Sequence, residues 1–362
     1  MYKNLARGRL AAMFAAAAAL FIQAPPAHAQ ASSPLKVAFV YVSPIGEAGW
    51  TYQHDLGRLE MEKALGAKVK TTVVESVAEG ADSERVMRDL AAQGNMLIFA
   101  TSFGYLEPAL RVAADFPNVK FEHAGGYKTA ANLNTYNARY YEARFLAGVL
   151  AGKASRSGIA GYVAGFPVPE VIQGINAFTL GMREANPQAQ VKVLWLNTWF
   201  DPPREREAAL TLINQGADVL TNHSGSPAVA QTAEEKGVKL VAYQSDMSRF
   251  APHAQLAAIV HQWGGYYTGV ARSVIAATWK PVPVWGGMKD GFVALSALNA
   301  DVPQDVAALV ESKRRAILNG TLRPLSGKLV DTEGKLHDVL DDRSIAAMNW
   351  FVQGVVGTLP KP

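Results

Sequence analysis

Residues Lys36–Leu65 read KVAFVYVSPIGEAGWTYQHDLGRLEMEKAL. The apolar run Val37–Val42 stops at Ser43-Pro44, and a loop bearing Gly46 and Gly49 follows. Trp50 then opens an amphipathic stretch in which Tyr52, Leu56, Leu59 and Met61 recur at roughly helical spacing, predicting an inward face. This pattern describes a buried parallel strand running into a helix, with the loop at the strand's carboxyl end, where open α/β sheets bind ligands. A tryptophan in such a loop either lids the core or offers a flat apolar platform to a ring-shaped ligand. The loops downstream favour the platform.

The same alternation continues along the chain. Val69–Val74 and Met96–Ala100 read as strands, Ser83–Gln93 as a helix led by Asp82 as N-cap, and Leu106–Asp115 as a helix ending before Pro117. Val119–Glu122 is a further short strand, and Arg139–Lys153 a strong helix that completes the first half. The pattern then restarts with Gly158–Val163, a helix marked by Val171, Ile175, Phe178 and Met182, the strand Val191–Leu196 and the helix Pro203–Gln215. Strands Val219–Thr221 and Lys239–Tyr243 flank a helix at Pro227–Lys236. Leu256–Val260, Tyr266–Thr278 and Val302–Leu318 follow, the first two predicted to lead back toward the first half. Asp331-Thr332-Glu333-Gly334 is a turn signal between short extended pieces, and Ser344–Val352 reads as a last helix. β–α alternation in two similar halves implies two doubly wound parallel-sheet lobes joined by a multi-stranded hinge.

Composition narrows the class. Lys3, Arg7 and Arg9 precede the alanine-rich run Leu10–Ile22, and Ala27-His28-Ala29 supplies a peptidase site, so residues 1–29 read as a cleaved signal peptide. The formal charge of +4 includes those three basic residues, so the high pI gives no argument for nucleic acid or an anionic membrane. With no cysteine in the chain, a lipid-modified cysteine, disulfides and thiolate metal sites are excluded. The expected product is a free, exported protein. Its length divides into a first lobe of residues 35–155 and 262–285, a second of 156–261 and 286–325, and a C-terminal hairpin and helix over 326–362 packing on both.

Catalytic signatures are missing. No GxGxxG follows the first strand, no P-loop is present, and the seven histidines are dispersed without HExxH pairing, so neither a phosphate-cradling nor a metal site is expected. Gly161–Gly165 reads as a strand-to-helix turn. His223-Ser224-Gly225-Ser226 lacks the GxSxG elbow, and its serines read as helix caps, as does Asp201. Two α/β lobes without catalytic machinery describe a hinged clamp rather than an enzyme, with no cofactor.

In such a clamp the strand-to-helix loops of both lobes face one cleft. Those loops hold Trp50, Thr51 and Tyr52; Ser102 and Phe103; Phe166 and Glu170; Trp199, Phe200 and Asp201; His223; and Gln244 with Asp246. Aromatic faces with a few carboxylates and amides suit a flat, neutral, nitrogen-rich heterocycle, whose amino and ring N–H groups the acids can accept. A sugar site would bring more Asn, Asp and Arg, and an amino-acid site an arginine or a helix N-terminus for the carboxylate. No arginine occurs in these loops.

Across residues 35–355 the chain resembles the basic membrane protein family of periplasmic substrate-binding proteins, the purine nucleoside-binding lipoproteins of ABC importers. The resemblance rests on Gly49–Gly57 (GWTYQHDLG), Phe99–Ala109 (FATSFGYLEPA), Arg139–Gly152 (RYYEARFLAGVLAG), Gly165–Gly181 (GFPVPEVIQGINAFTLG), Asn197–Glu205 (NTWFDPPRE), Ile213–Gly225 (INQGADVLTNHSG) and Gln244–Met247 (QSDM). It implies a type I periplasmic binding fold, a monomer, an ABC permease as partner, and a purine sandwiched between one aromatic of each lobe, here Trp50 and Trp199. Ser102 and Phe103 match the first lobe's next ligand loop, and Asp246 one acid of the family's GVDxDQ stretch. Three departures matter: Gln244 stands where the first aspartate of that stretch would be, His261 replaces a lysine, and the anchoring cysteine is missing. In the nucleoside binders such polar groups hold ribose, so these changes favour a free purine base, adenine first, with Glu170 accepting from its amino or ring N–H. A nucleoside, a sugar or a sensory role are the alternatives.

Overall fold

The computed structural model describes residues 33–360; the expected signal peptide lies outside them. In chain order the elements are β1 (Leu35–Val40), α1 (Trp50–Leu65), β2 (Val69–Val74), α2 (Ala81–Ala92), β3 (Leu97–Ala100), α3 (Leu106–Asp115), β4 (Lys120–Ala124), β5 (Leu133–Ala138) and α4 (Tyr140–Ala154). Then follow β6 (Ile159–Ala164), α5 (Pro169–Ala185), β7 (Gln190–Trp195), α6 (Pro202–Asn214), β8 (Val219–His223), α7 (Ala228–Lys236), β9 (Lys239–Gln244), β10 (Gln255–His261) and α8 (Gly264–Ile275). The chain ends with β11 (Val284–Gly286), β12 (Val293–Leu295), α9 (Gln304–Leu318), β13 (Leu329–Val330), β14 (Leu336–His337), α10 (Asp342–Ala346) and β15 (Val355–Val356).

Two sheets carry the fold. The first runs β11-β5-β4-β3-β1-β2 and is parallel throughout; the second runs β12-β10-β9-β8-β6-β7-β15, parallel except for β12. Each contains the same doubly wound order, β2-β1-β3-β4-β5 in one and β7-β6-β8-β9-β10 in the other. The order therefore reverses between β1 and β3 and between β6 and β8, and the loops at those two switch points are where a doubly wound sheet opens a crevice. The central strands Val37–Val40 and Leu97–Ala100 are completely buried, as helices on both faces require. The chain crosses between the sheets after β5, after β10 and after β11.

Five sequence expectations are corrected. Helix α4 does not complete the first lobe: it lies against α5 and the second sheet, and buried Arg144 donates Nη1 to Thr221 Oγ1 (3.0 Å) and Nη2 to Asn222 O (2.8 Å), with its guanidinium 3.5 Å over Tyr243. The two helices approach so closely that a Cβ on Gly148 would overlap the Phe178 carbonyl, and one on Gly181 the Phe145 carbonyl. Strand β5 escapes an apolar reading because Asn132 and Asn134 are buried at its start; Asn132 Nδ2 donates to the carbonyls of Ala113, Phe116 and Val119 at 2.9–3.0 Å. The predicted inward face of α1 is only partly right, since Leu59 is 44% exposed while Thr51, His54, Asp55 and Met61 are buried. Of the polar positions His54 faces α8, stacking on Trp263 at 5.0 Å, while Thr51 pairs with Ser43 (2.7 Å) and Asp55 accepts from the Tyr41 hydroxyl (3.2 Å). The last helix is one short turn, Asp342–Ala346; beyond it Met348 and Phe351 are buried and Trp350 is half-buried. At α2 the N-cap is Gly80, and Asp82 sits in the first turn, where its charge meets the helix dipole.

Candidate functional site

The loops at the two switch points face each other across a narrow cavity, lined by Val42, Ser43, Trp50, Ser102 and Phe103 from the first lobe and Glu170, Trp199, His223, Gly225 and Gln244 from the second. Seven of the fourteen residues singled out from sequence are among them. The lobes touch around it: Gly49 N donates to Ser245 Oγ (2.8 Å), Glu47 pairs with Arg249 (2.9 Å), and Gln53 Nε2 donates to His261 O (3.0 Å). Gly49 has φ +97°, and a Cβ there would overlap the Gly225 carbonyl, so this close approach of the two loops demands glycine.

Two indoles frame the space, one from each lobe. Trp50, the first residue of α1, is fixed by Nε1 donating to Thr101 O (2.6 Å) and lies edge-on to His54 at 4.4 Å. Trp199 follows β7, packs edge-on against Phe166 (4.8 Å) and donates Nε1 across the cleft to Glu79 Oε1 (3.1 Å). The same Glu79 oxygen accepts from Ser102 Oγ (2.6 Å) and Gly104 N (2.8 Å). Glu79 was not singled out from sequence. Its position in a strand-to-helix loop, after β2, was the available signal.

The polar side of the cavity comes from the second lobe. Glu170 opens α5 and accepts from Asn137 Nδ2 (2.9 Å) on β5; burial raises its carboxyl to about 7 against that hydrogen bond. His223 ends β8, and burial, with Arg144 nearby, holds its imidazole far below the usual pKa and therefore neutral. Its Nδ1 and the Oε1 of Gln244 are buried without a hydrogen-bond partner among the described residues. Gln244 also has φ +73°, a left-handed conformation that costs a non-glycine residue about 1–2 kcal/mol. Ser76 (+56°) and Asn197 (+54°) share that conformation and line the crevice outside Trp199. Backbone strain collects at the cleft, as it does at functional sites. No lysine or arginine lines the cavity.

Seven singled-out residues lie off the cavity lining. Thr51 is buried beneath it, sharing a 2.7 Å hydrogen bond with Ser43 Oγ, and Tyr52 is half-buried on α1. Phe200 belongs to the outer crevice with Phe166 and Glu79. Asp246 is spent on its own loop, its Oδ1 accepting from Ser248 N and Gln255 Nε2, each at 2.8 Å. His261 is sealed behind Trp50 (5.6 Å), against Tyr140 (4.5 Å) and Tyr243 (5.0 Å), and burial holds it neutral. As expected, Asp201 caps α6, accepting from Arg204 N (3.1 Å); the N-cap of α7 is Pro227 rather than a serine, and Ser224 and Ser226 both donate to buried Glu205, Ser226 Oγ also accepting from Ala228 N (3.2 Å). No group of three or more potential metal ligands occurs among the described residues.

Two α/β lobes closing switch-point loops on a small cavity define a substrate-binding protein of the periplasmic type. The chain belongs to the Bmp family of PnrA-like ABC transporter substrate-binding proteins, whose model matches residues 35–322. It is 48% identical to a purine-binding protein of Brucella abortus, over 96% of this chain and all of that one. It is 38% identical, over 90% of its length and 81% of the relative's, to a Haloferax volcanii protein named for glucose binding in an ABC transporter. Among solved structures, an ABC transporter solute-binding protein from Aeropyrum pernix superposes with a TM-score of 0.70 at 17% identity, over 86% of this chain and 95% of that one, which shows the shared fold.

Proposed function

We propose that this protein captures a purine base, adenine in preference to others, and delivers it to an ABC permease. The observation that carries the reading is the pair of indoles, Trp50 and Trp199, brought from opposite lobes to one cavity that has no cation and offers unpaired His223 Nδ1 and Gln244 Oε1. Aromatic faces suit a planar ring, and a lining without lysine or arginine disfavours carboxylates and phosphates. Glu170 accepts from the amino or ring N–H edge, and Ser102 and Phe103 complete the first lobe's wall. The name of the Brucella abortus relative agrees in ligand class.

A free base is favoured over a nucleoside because neither replacement at a ribose-holding position offers what ribose needs. His261 is walled off from the cavity, and Gln244 brings a neutral amide. Ligand capture proceeds by hinge closure, the ligand bridging the lobes and shifting the population toward the closed form. We place the mature protein free in the periplasm as a monomer, binding rather than transforming its ligand.

The test is tryptophan fluorescence titration of unfolded and refolded protein with adenine, adenosine, guanine, hypoxanthine and glucose. Tight quenching by adenine with adenosine much weaker is expected. Tight adenosine binding would overturn the free-base reading, and response to glucose alone would move the ligand class to that in the name of the Haloferax volcanii relative.

A further inference from the structure

Beyond Glu170 the interlobe space does not end. A second, larger cavity of about 620 Å³, open to solvent, shares Phe103 and Glu170 with the first and extends between β5, the β11 crossing and the end of α10. The partition between the two is thin. It consists of the Glu170 carboxyl, the Phe103 ring and Gly125, whose missing side chain matters here: a Cβ would lie 3.3 Å from Glu170 Oε2 and 3.7 Å from Phe103 Cδ2. Beyond it the walls are mainly aromatic and apolar, including Tyr127, Tyr136, Val284, Trp285 and Ala347, with no charged lining residue other than Glu170. Tyr127, 67% exposed, stands at the mouth with its ring 6.2 Å from that of Phe103.

We propose that this annex receives an apolar substituent carried on the exocyclic amino edge of the bound base, so that the ligand class includes N6-alkyl and N6-aryl adenines. The inference rests on the purine reading and on Glu170 facing the amino edge. With the ring between Trp50 and Trp199, a group on that edge passes between Glu170 and Phe103, where Gly125 presents no side chain to block it. The same group on the opposite, imidazole side of the ring would point away from the annex. Burying an aryl tail against Tyr127, Trp285 and Val284 removes apolar surface from water and offsets the loss of one N–H donor.

The experiment compares adenine, N6-benzyladenine and N9-benzyladenine by calorimetry on the refolded mature protein, with the variants Ala347→Trp, which fills the annex from an exposed position, and Tyr127→Ala, which removes one wall. N6-benzyladenine is expected to bind within about threefold of adenine or tighter, and N9-benzyladenine at least about a hundredfold weaker. Ala347→Trp and Tyr127→Ala should each weaken N6-benzyladenine by about tenfold or more while leaving adenine within about twofold. Adenine binding with N6-benzyladenine rejected, or with N6-benzyladenine indifferent to both variants, would overturn the annex and leave the purine reading standing. Rejection of all three ligands would overturn both.

Discussion

Trp199 Nε1 lies 3.1 Å from Glu79 Oε1, a hydrogen bond that spans the cleft between lobes. Glu79 belongs to the loop between β2 and α2, and its Oε1 also takes the hydroxyl of Ser102 and the amide of Gly104. One oxygen thus ties a cavity-lining indole of the second lobe to the cavity-lining loop of the first. Closure and ring placement become the same event.

Replacing Glu79 by alanine should therefore weaken ligand binding by about three- to tenfold, the worth of one partly exposed hydrogen bond of about 0.5–1.5 kcal/mol. Glu79→Gln keeps an oxygen acceptor and should retain most of the affinity. Calorimetric titration checks both, and scattering profiles of the ligand-free alanine variant should show a more open form. An alanine variant that binds like the parent would make the bond incidental to closure.

Trp50→Ala and Trp199→Ala are each expected to cost about 1–3 kcal/mol of ligand affinity, the usual value of an aromatic–base stack. Trp50 carries an added structural risk because its ring covers His54, His261 and Trp263. Trp50→Phe, which keeps a face but loses the bond to Thr101 O, separates stacking from folding and should lose less than the alanine variant. Unchanged affinity in both alanine variants would remove the indoles from the site.

The parts of this molecule legible in sequence are those governed by local pattern. Val37–Val42 and Met96–Ala100 announce themselves as buried strands because every side chain on both faces is apolar. The tryptophans that follow β1 and β7 were visible for the same reason, since a loop position follows once its strand is known. What stayed hidden depends on distant partners. α4 is apolar on nearly every side, so its sequence contains no face that says which sheet it serves; only Gly148 and Gly152 hint at a helix pressed against it. Asp246 looked like a ligand acid, but Gln255, nine residues on, claims it. Glu79 meets Trp199 over a separation of 120 residues, and no local pattern encodes that.

Glu170 gives a pH signature. Its carboxyl is raised from 4.5 to about 7 by burial, so the folded chain holds a proton there that the unfolded chain has released. Stability from this group is therefore intact below about pH 4.5, declines through the interval up to 7, and is lost above it. Glu170→Gln should melt like the parent near the acid end of that window and be more stable by about 1–3 kcal/mol above it, the upper figure being reduced by solvent reaching the cavity. Thermal melts of both proteins across the window decide the matter. A difference that does not change with pH would mean that Glu170 titrates normally.

Two glycines inside helices should respond to alanine in opposite directions. Alanine is the better helix former by about 0.5–1 kcal/mol, so an unconstrained helical glycine gains from the change. Gly269 in α8 is exposed, and a Cβ there meets nothing within 4 Å; Gly269→Ala should raise stability by roughly that amount. Gly148 in α4 faces the Phe178 carbonyl at a distance that admits no Cβ, so Gly148→Ala must separate α4 from α5 along a seam that also includes Gly181. Forcing apart a packed interior costs about 1–3 kcal/mol, which exceeds the propensity gain. Urea denaturation of the two variants checks the pair. If Gly148→Ala proved stabilising, α4 and α5 would have to be farther apart than the fold described here places them, and Arg144 would lose the helix position that delivers it to Thr221 and Tyr243.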